Sequence, residues 1–173
     1  IRLVTLGTER NFAVGNETVL FRHEKTFYHE PGLALRVKDN DPALEEKAAL
    51  VESFAVERVG VNLTMNALAI ENASGDAGTF AVAVAKARAK TKLPFILISD
   101  NPDAMKAALE KEGGRKPLIY AATDGNVEAM AALAKAHGAS LVVKADSLDG
   151  LAALTEKATA AGVEDLVLHP VQN

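Results

Sequence analysis

Pro94-Phe95-Ile96-Leu97-Ile98-Ser99 is followed by Asn101-Pro102-Asp103-Ala104-Met105-Lys106-Ala107-Ala108-Leu109-Glu110-Lys111-Glu112-Gly113-Gly114 and then by Pro117-Leu118-Ile119-Tyr120-Ala121. These pieces of the 28-residue span 94–121 decide the fold. The two outer pieces are short, continuous apolar runs of the strand type, and the middle piece is a helix with both ends marked. Asn101 sets a capping amide before a proline at the first helical position, where the missing N–H is harmless. Gly113-Gly114 is the expected terminator, since glycine adopts the left-handed conformation just past a helix at no cost.

The same unit recurs on both sides. Val61 to Ile70, Ser140 to Lys144 and Asp165 to His169 read as further strands, and from Pro94 onward strands start about every 23 residues. Four more helices lie between strands. The first starts at Asp41-Pro42 with Leu44, Val51, Phe54 and Ala55 on one stripe. The second is capped by Ser74 or Asp76 and shows Phe80, Val84 and Ala87. The fourth follows Thr123-Asp124 with Val127, Met130, Leu133 and Ala134 and stops at His137-Gly138. The fifth follows Ser147 with Leu151, Leu154, Ala158 and Ala161 and stops at Gly162. Strands alternating with helical patterns of 10 to 15 residues argue for βα units on a parallel sheet. Their near-continuous Val, Ile and Leu content implies burial on both faces. Ahead of the repeat, Ile1–Leu6 and Phe12–Val14 flank a polar Gly7–Asn11 stretch. We expect a hairpin over residues 1–16 that plugs the bottom of a barrel, and Thr18–Phe21 as the first strand of the series.

Six strands and five helices fit either an open doubly wound sheet or part of an eight-stranded βα barrel, which usually needs about 250 residues. No Gly-rich phosphate loop links a strand to a helix, and both ends of the chain fall within patterned apolar runs. The expectation is an α/β fold of the TIM (β/α)8 type, an incomplete barrel spanning residues 1–173, with βα units one to six over 17–173. Unpaired edge strands would then promote association of this stretch on its own.

Composition narrows the chemistry. The 173 residues contain no cysteine, which excludes a disulfide framework, a thiolate zinc site and a cysteine-held cluster within them. Nineteen Lys and Arg against 23 Asp and Glu, spread along the chain, leave no basic stripe for nucleic acid or an anionic membrane surface. The longest apolar runs fall far short of the ~20 residues that span a bilayer. A cytoplasmic protein is expected.

Ligands gather at the carboxyl ends of strands in either architecture. The densest polar cluster, Arg22 to Gly32, follows Thr18–Phe21, and within it His23, Glu24 and His29 offer acid/base groups. The two histidines are six apart, so they do not share a helical face as metal ligands would. A solvated loop with an ion pair and a packed Tyr28 is the plainer account. The other strand ends supply Glu71-Asn72, Ser99-Asp100, Thr123-Asp124-Asn126, Lys144-Asp146 and His169. Asn72, Asp100 and Asn126 have the chemistry to hydrogen-bond a pterin ring, although helix capping explains Asn101 and Ser147. Lys144 reads as a stem along its strand with the head reaching solvent, and His137 as a cation at a helix end.

Glu17-Thr-Val-Leu-Phe-Arg-His-Glu-Lys-Thr-Phe-Tyr-His29 with Pro31-Gly32 resembles a characteristic segment of the large (gamma) subunit of the corrinoid iron-sulfur protein. Phe54–Gly60, Asn72–Asp76, Pro117–Thr123 and Leu166–Pro170 extend the resemblance over nearly the whole chain. It implies a three-part subunit: an N-terminal domain whose cysteines hold a 4Fe-4S cluster, a central βα barrel and a C-terminal corrinoid (cobamide) domain. The present residues would be the first part of the barrel. The cofactor domains would lie outside this span, so no cluster or corrinoid ligand falls within residues 1–173. By this resemblance the cobalt accepts a methyl group from a methyltetrahydrofolate methyltransferase and delivers it to acetyl-CoA synthase. The barrel serves as scaffold and as the docking surface for the small subunit in a heterodimer. Two competing readings are a barrel methyltransferase that binds methyltetrahydrofolate through Asn72, Asp100 and Asn126, and a complete open-sheet binding module. No catalytic residue is assigned. His23, Lys25, Tyr28, His29, Asn72 and Asp100 are the barrel-mouth candidates.

Overall fold

The computed structural model describes residues 2–16 and 31–171. Six parallel strands form one sheet: β3 (Ala34–Lys38), β6 (Ala67–Glu71), β7 (Phe95–Ile98), β8 (Leu118–Ala122), β9 (Ser140–Ala145) and β10 (Leu166–Pro170). Their spatial order, β10-β9-β8-β7-β6-β3, follows the sequence without a reversal. Helices α1 (Leu44–Ser53), α2 (Ala77–Arg88), α3 (Pro102–Glu112), α4 (Val127–His137) and α5 (Leu148–Ala160) make the five crossovers. Parallel crossovers have one hand, so a monotonic order sends every helix to the same face. Consecutive helices touch in turn from α1 to α5. Among the described strands the sheet has no topological switch point of the doubly wound kind.

The helix side holds the main core. Val37, Leu68, Ile70, Phe95, Leu97, Ile119, Leu141 and Val143 project from the strands onto Phe80, Met105, Leu109, Met130 and Leu154. Alternation sends Ile96, Leu118, Val142 and Val167 to the opposite face, where β1 (Val4–Leu6) and β2 (Phe12–Val14) cover them as an antiparallel hairpin. The hairpin expected over 1–16 is thus present, and it lies toward the amino ends of the strands. Gly7 N donates to Lys116 O at 3.0 Å, and Arg2 pairs with Asp165 at 2.6 Å and Glu164 at 3.0 Å. Gly7 is required there: its φ is +83°, and a Cβ would sit 2.2 Å from Arg10 O.

Several local readings change. Thr18–Phe21 lies outside the described residues, and Ala34–Lys38, which the sequence reading left unassigned, is the first described strand of the sheet. Val61–Ile70 is not one strand. It divides at Met65-Asn66 into β5 (Val61–Thr64), which pairs antiparallel with β4 (Ala55–Arg58), and β6. The division is held by Asn66, whose Oδ1 accepts from Leu33 N at 2.8 Å while its own N–H donates to Leu33 O. Phe54 and Ala55 therefore leave the first helix stripe, since α1 stops at Ser53. Asp41 begins the turn into α1 by accepting from Ala43 N, and the helix itself opens at Leu44.

The remaining helix ends follow local chemistry. Asp76, not Ser74, caps α2 through Thr79 N, Asn101 caps α3 through Asp103 N and Ala104 N, and Ser147 caps α5 through Gly150 N. Asn126 rather than Thr123 or Asp124 occupies the cap position of α4. Gly113 and Gly138 end α3 and α4 in the left-handed conformation. No described helix is long and apolar enough to cross a membrane.

Candidate functional site

The carboxyl ends of β3, β6, β7 and β8 are joined by a chain of hydrogen bonds between loops. Asp39, 7% exposed, follows β3 and accepts from Ser74 N at 3.0 Å and Ser74 Oγ at 2.5 Å. Asn72 Nδ2 donates to Ser99 Oγ at 3.0 Å, and the same oxygen accepts from Asn101 N at 3.2 Å. Asn126 Nδ2 donates to Asp100 O at 3.0 Å, while its Oδ1 accepts from Thr123 N at 2.7 Å. The bonds from Ser74 to Asp39, from Asn72 to Ser99 and from Asn126 to Asp100 each fix one loop against another, and the other two hold a loop in shape. The amides of Asn72 and Asn126 are thereby engaged in holding the loops, and Asp100 contributes its backbone carbonyl while remaining exposed.

Of the candidates read from sequence, His23, Lys25, Tyr28 and His29 lie outside the described residues. Asn72 and Asp100 do come to neighbouring loops at one end of the sheet. Two of the clefts that the described residues form at this end flank the strand-end loops. One of about 350 Å³, between the starts of α1 and α2, is lined by Asp39, Asp41, Glu45, Thr79 and Lys86. The other, about 510 Å³, lies between the loops after β8 and β9 and is lined by Thr123, Asp124, Lys144, Asp146 and Gly150. The first is walled by carboxylates, and the start of α2 is already closed by Asp76, so neither its charge nor its dipole invites an anion. Among the described residues no three His, Asp or Glu side chains are grouped as a metal site.

The helix-free face carries a second polar set. Arg36 holds Glu71 by two contacts, Nε to Oε2 at 3.0 Å and Nη2 to Oε1 at 2.7 Å. The hydrogen bond from Arg36 keeps the Glu71 carboxyl below its ordinary range; burial opposes this, and the charges of Arg36 and Lys38 add to it. Tyr120 Oη lies 3.1 Å from His169 Nδ1. Lys144 Nζ sits 5.9 Å from the centroid of the Tyr120 ring. Register sets Lys38 opposite Glu71, Glu71 opposite Ile98 and Ile98 opposite Tyr120, and, past a register shift in the β8–β9 pairing between Ile119 and Ala122, Lys144 opposite His169. Sequence reasoning named Glu71, Lys144 and His169 as strand ends but missed Arg36, Lys38 and Tyr120. The available signal was their alternation with Val37 and Ile119, which belong to the helix-side core.

The family described as CO dehydrogenase/acetyl-CoA synthase delta subunit matches residues 3–173. The corrinoid/iron-sulfur protein large subunit of Moorella thermoacetica is 43% identical over 159 residues, covering 91% of this chain and 36% of the relative. Acetyl-CoA decarbonylase/synthase complex subunit gamma 2 of Methanosarcina mazei is 39% identical over 174 residues, covering 98% of this chain and 37% of the relative. The gamma subunit of the same complex from Methanothermobacter thermautotrophicus is 36% identical, with 98% and 38% covered. The chain thus spans somewhat more than a third of the length of these curated relatives.

Proposed function

The chain belongs to the CO dehydrogenase/acetyl-CoA synthase delta subunit family, and from that premise we propose that it is part of a corrinoid iron-sulfur methyl carrier. The carrier accepts a methyl group from methyltetrahydrofolate through a methyltransferase and passes it to acetyl-CoA synthase, in the cytoplasm. The span described above is its scaffold and the surface on which a small subunit docks to form a heterodimer. The observation that carries the reading is the match over residues 3–173 to relatives named for a corrinoid/iron-sulfur protein and for acetyl-CoA decarbonylase/synthase.

The sheet is read as six strands of a (β/α)8-type barrel. Three features support this: a strand order that never reverses, helices on one face only, and a hairpin over the amino ends of the other face. An iron-sulfur cluster does not fit these residues, because 173 positions without cysteine offer no thiolate. The cluster and the corrinoid are therefore assigned to other parts of the full-length protein, and no step of methyl transfer is routed through this span. What these residues supply is a rigid end to the sheet, with the strand-end amides tying loops together.

The test is made on the full-length protein purified without oxygen. Stoichiometric cobalt, a corrinoid absorbance spectrum and labelling by methyl-labelled methyltetrahydrofolate only when the methyltransferase is added are expected. Absence of cobalt and of corrinoid absorbance overturns the carrier reading. Calorimetric binding of methyltetrahydrofolate to this subunit alone, abolished by Asn72→Ala, would establish the pterin-binding reading instead.

A further inference from the structure

The polar set on the helix-free face contains a pair of donors to which the carrier role gives no task. Lys144 and His169 are register partners on the adjacent parallel strands β9 and β10, so their side chains leave the same face of the sheet. Val142 and Val167, two positions earlier on each strand, belong to the apolar cluster on that face. The two polar residues therefore stand one layer nearer the carboxyl ends than the apolar floor beneath the β1–β2 hairpin. Both are half-buried. The backbones they stand on are ~4.8 Å apart, the ordinary interstrand spacing.

Tyr120 organises this pair. Its ring centroid is 5.6 Å from that of His169, and its hydroxyl lies 3.1 Å from Nδ1. In the tautomer where the Tyr120 hydroxyl donates to Nδ1, the ring proton resides on Nε2. The free nitrogen of His169 is then a donor. Lys144 adds an ammonium near the face of the same tyrosine ring, where the quadrupole attracts a cation. Among the described residues no carboxylate lies within ion-pair distance of Lys144. Glu71, an acid on the described part of this face, has both oxygens taken by Arg36.

We propose that Lys144 and His169, with Tyr120 fixing the imidazole, form a binding subsite for the carboxylate or phosphate group of a small-molecule anion at the carboxyl ends of β9 and β10. One oxygen of the anion accepts from Nε2–H and another pairs with the ammonium. Parallel α/β sheets commonly place ligands at this end of their strands. The subsite rests on register and side-chain geometry and is independent of the carrier role.

The intact protein is titrated by calorimetry with inorganic phosphate and, separately, with succinate, at constant ionic strength made up with chloride. Saturable binding of at least one of the two is expected, and which one binds distinguishes a phosphate site from a carboxylate site. Lys144→Met and His169→Phe should each weaken it tenfold or more, Lys144→Arg should restore part of it, and Lys157→Met, whose ammonium pairs with Asp124, should leave it unchanged. Nitrogen NMR of histidine-labelled wild-type protein provides a readout that needs no variant. The Nε2 resonance of His169 should report a protonated nitrogen and move on addition of the anion. Lack of saturable binding by either anion, unchanged affinity in Lys144→Met, or a stationary His169 resonance at saturating anion would overturn the proposal.

Discussion

Arg88 joins four pieces of the helix-side core, and removing it should cost far more than an ion pair at the surface. It sits in the last turn of α2. Nε and Nη2 donate to the two oxygens of Glu112 at 3.0 and 2.7 Å, Nη1 donates to Thr91 O and Leu93 O at 3.0 Å each, and the guanidinium carbon lies 3.6 Å from the centroid of the Phe95 ring. The Glu112 side chain is 1% exposed and that of Arg88 12%. In Arg88→Met the carboxylate of Glu112 is stranded, at a cost of about 3–5 kcal/mol for a buried pair broken from one side. Loss of the contact with Phe95 adds about 1 kcal/mol. Arg88→Met/Glu112→Leu removes both charges at similar volume, and buried pairs replaced in this way are often neutral. Two carbonyls remain without their donor, so we expect the double variant within about 2 kcal/mol of wild type. The double variant is then roughly 3 kcal/mol more stable than Arg88→Met alone, a rescue well above the scatter of independent sites. Native-state hydrogen exchange on the amides of β7 and α3 in the intact protein measures it. An Arg88→Met cost below about 1 kcal/mol, or a double variant no better than the single, would refute the assignment of this pair as a buried staple.

Stability should also decline in acid. Glu71 is held below its ordinary value of 4.5 by the Arg36 hydrogen bond, Asp41 below 3.8 by Lys47, and Asp76 below 3.8 by the Thr79 amide. Each folded carboxyl binds its proton less readily than the unfolded one, so its contribution is complete above the unfolded value and disappears as pH falls through the folded value. Urea midpoints should hold steady from pH 7 to about pH 5 and drop below about pH 4.5; a rise toward pH 3 would contradict this. The β4–β5 turn offers a gain instead of a loss. Val59, fully exposed, has a φ of +50° beside Gly60 at +77°, a two-residue turn that favours Asn-Gly. Val59→Asn should stabilise the hairpin by about 1 kcal/mol, the scale of the left-handed penalty; faster amide exchange in residues 55–64 would count against it.

What could be read in the sequence depended on whether a signal was local. From Asn101 onward, strands of continuous Val, Ile and Leu sit between helices whose caps and glycine stops lie within a few residues of one another, and the structure follows that reading closely. The first described strand, Ala34–Lys38, was missed for a definite reason. Leu35 and Val37 carry the helix-side core, but Arg36 and Lys38 occupy the alternate positions and Asp39-Asn40-Asp41 follows directly, so a buried strand is written in the composition of a loop. The β4–β5 hairpin was missed because valine at a left-handed turn position is a poor turn signal. The strand-end candidates Asn72 and Asp100 were located correctly by position. Their engagement with Ser99 and Asn126 was not legible, since it arises from three loops that only the sheet brings together. Tyr120 and His169 are 49 residues apart, and two right-handed crossovers set their meeting. Once register is known, however, the polar positions form a pattern. Lys38, Glu71, Tyr120, Lys144 and His169 each take the helix-free position near a strand's carboxyl end, with Ile98 completing the row. A charge at the last or next-to-last position of an apolar strand therefore has a physical meaning in a one-sided parallel sheet. It marks the layer where the face stops being core and turns toward solvent and ligands.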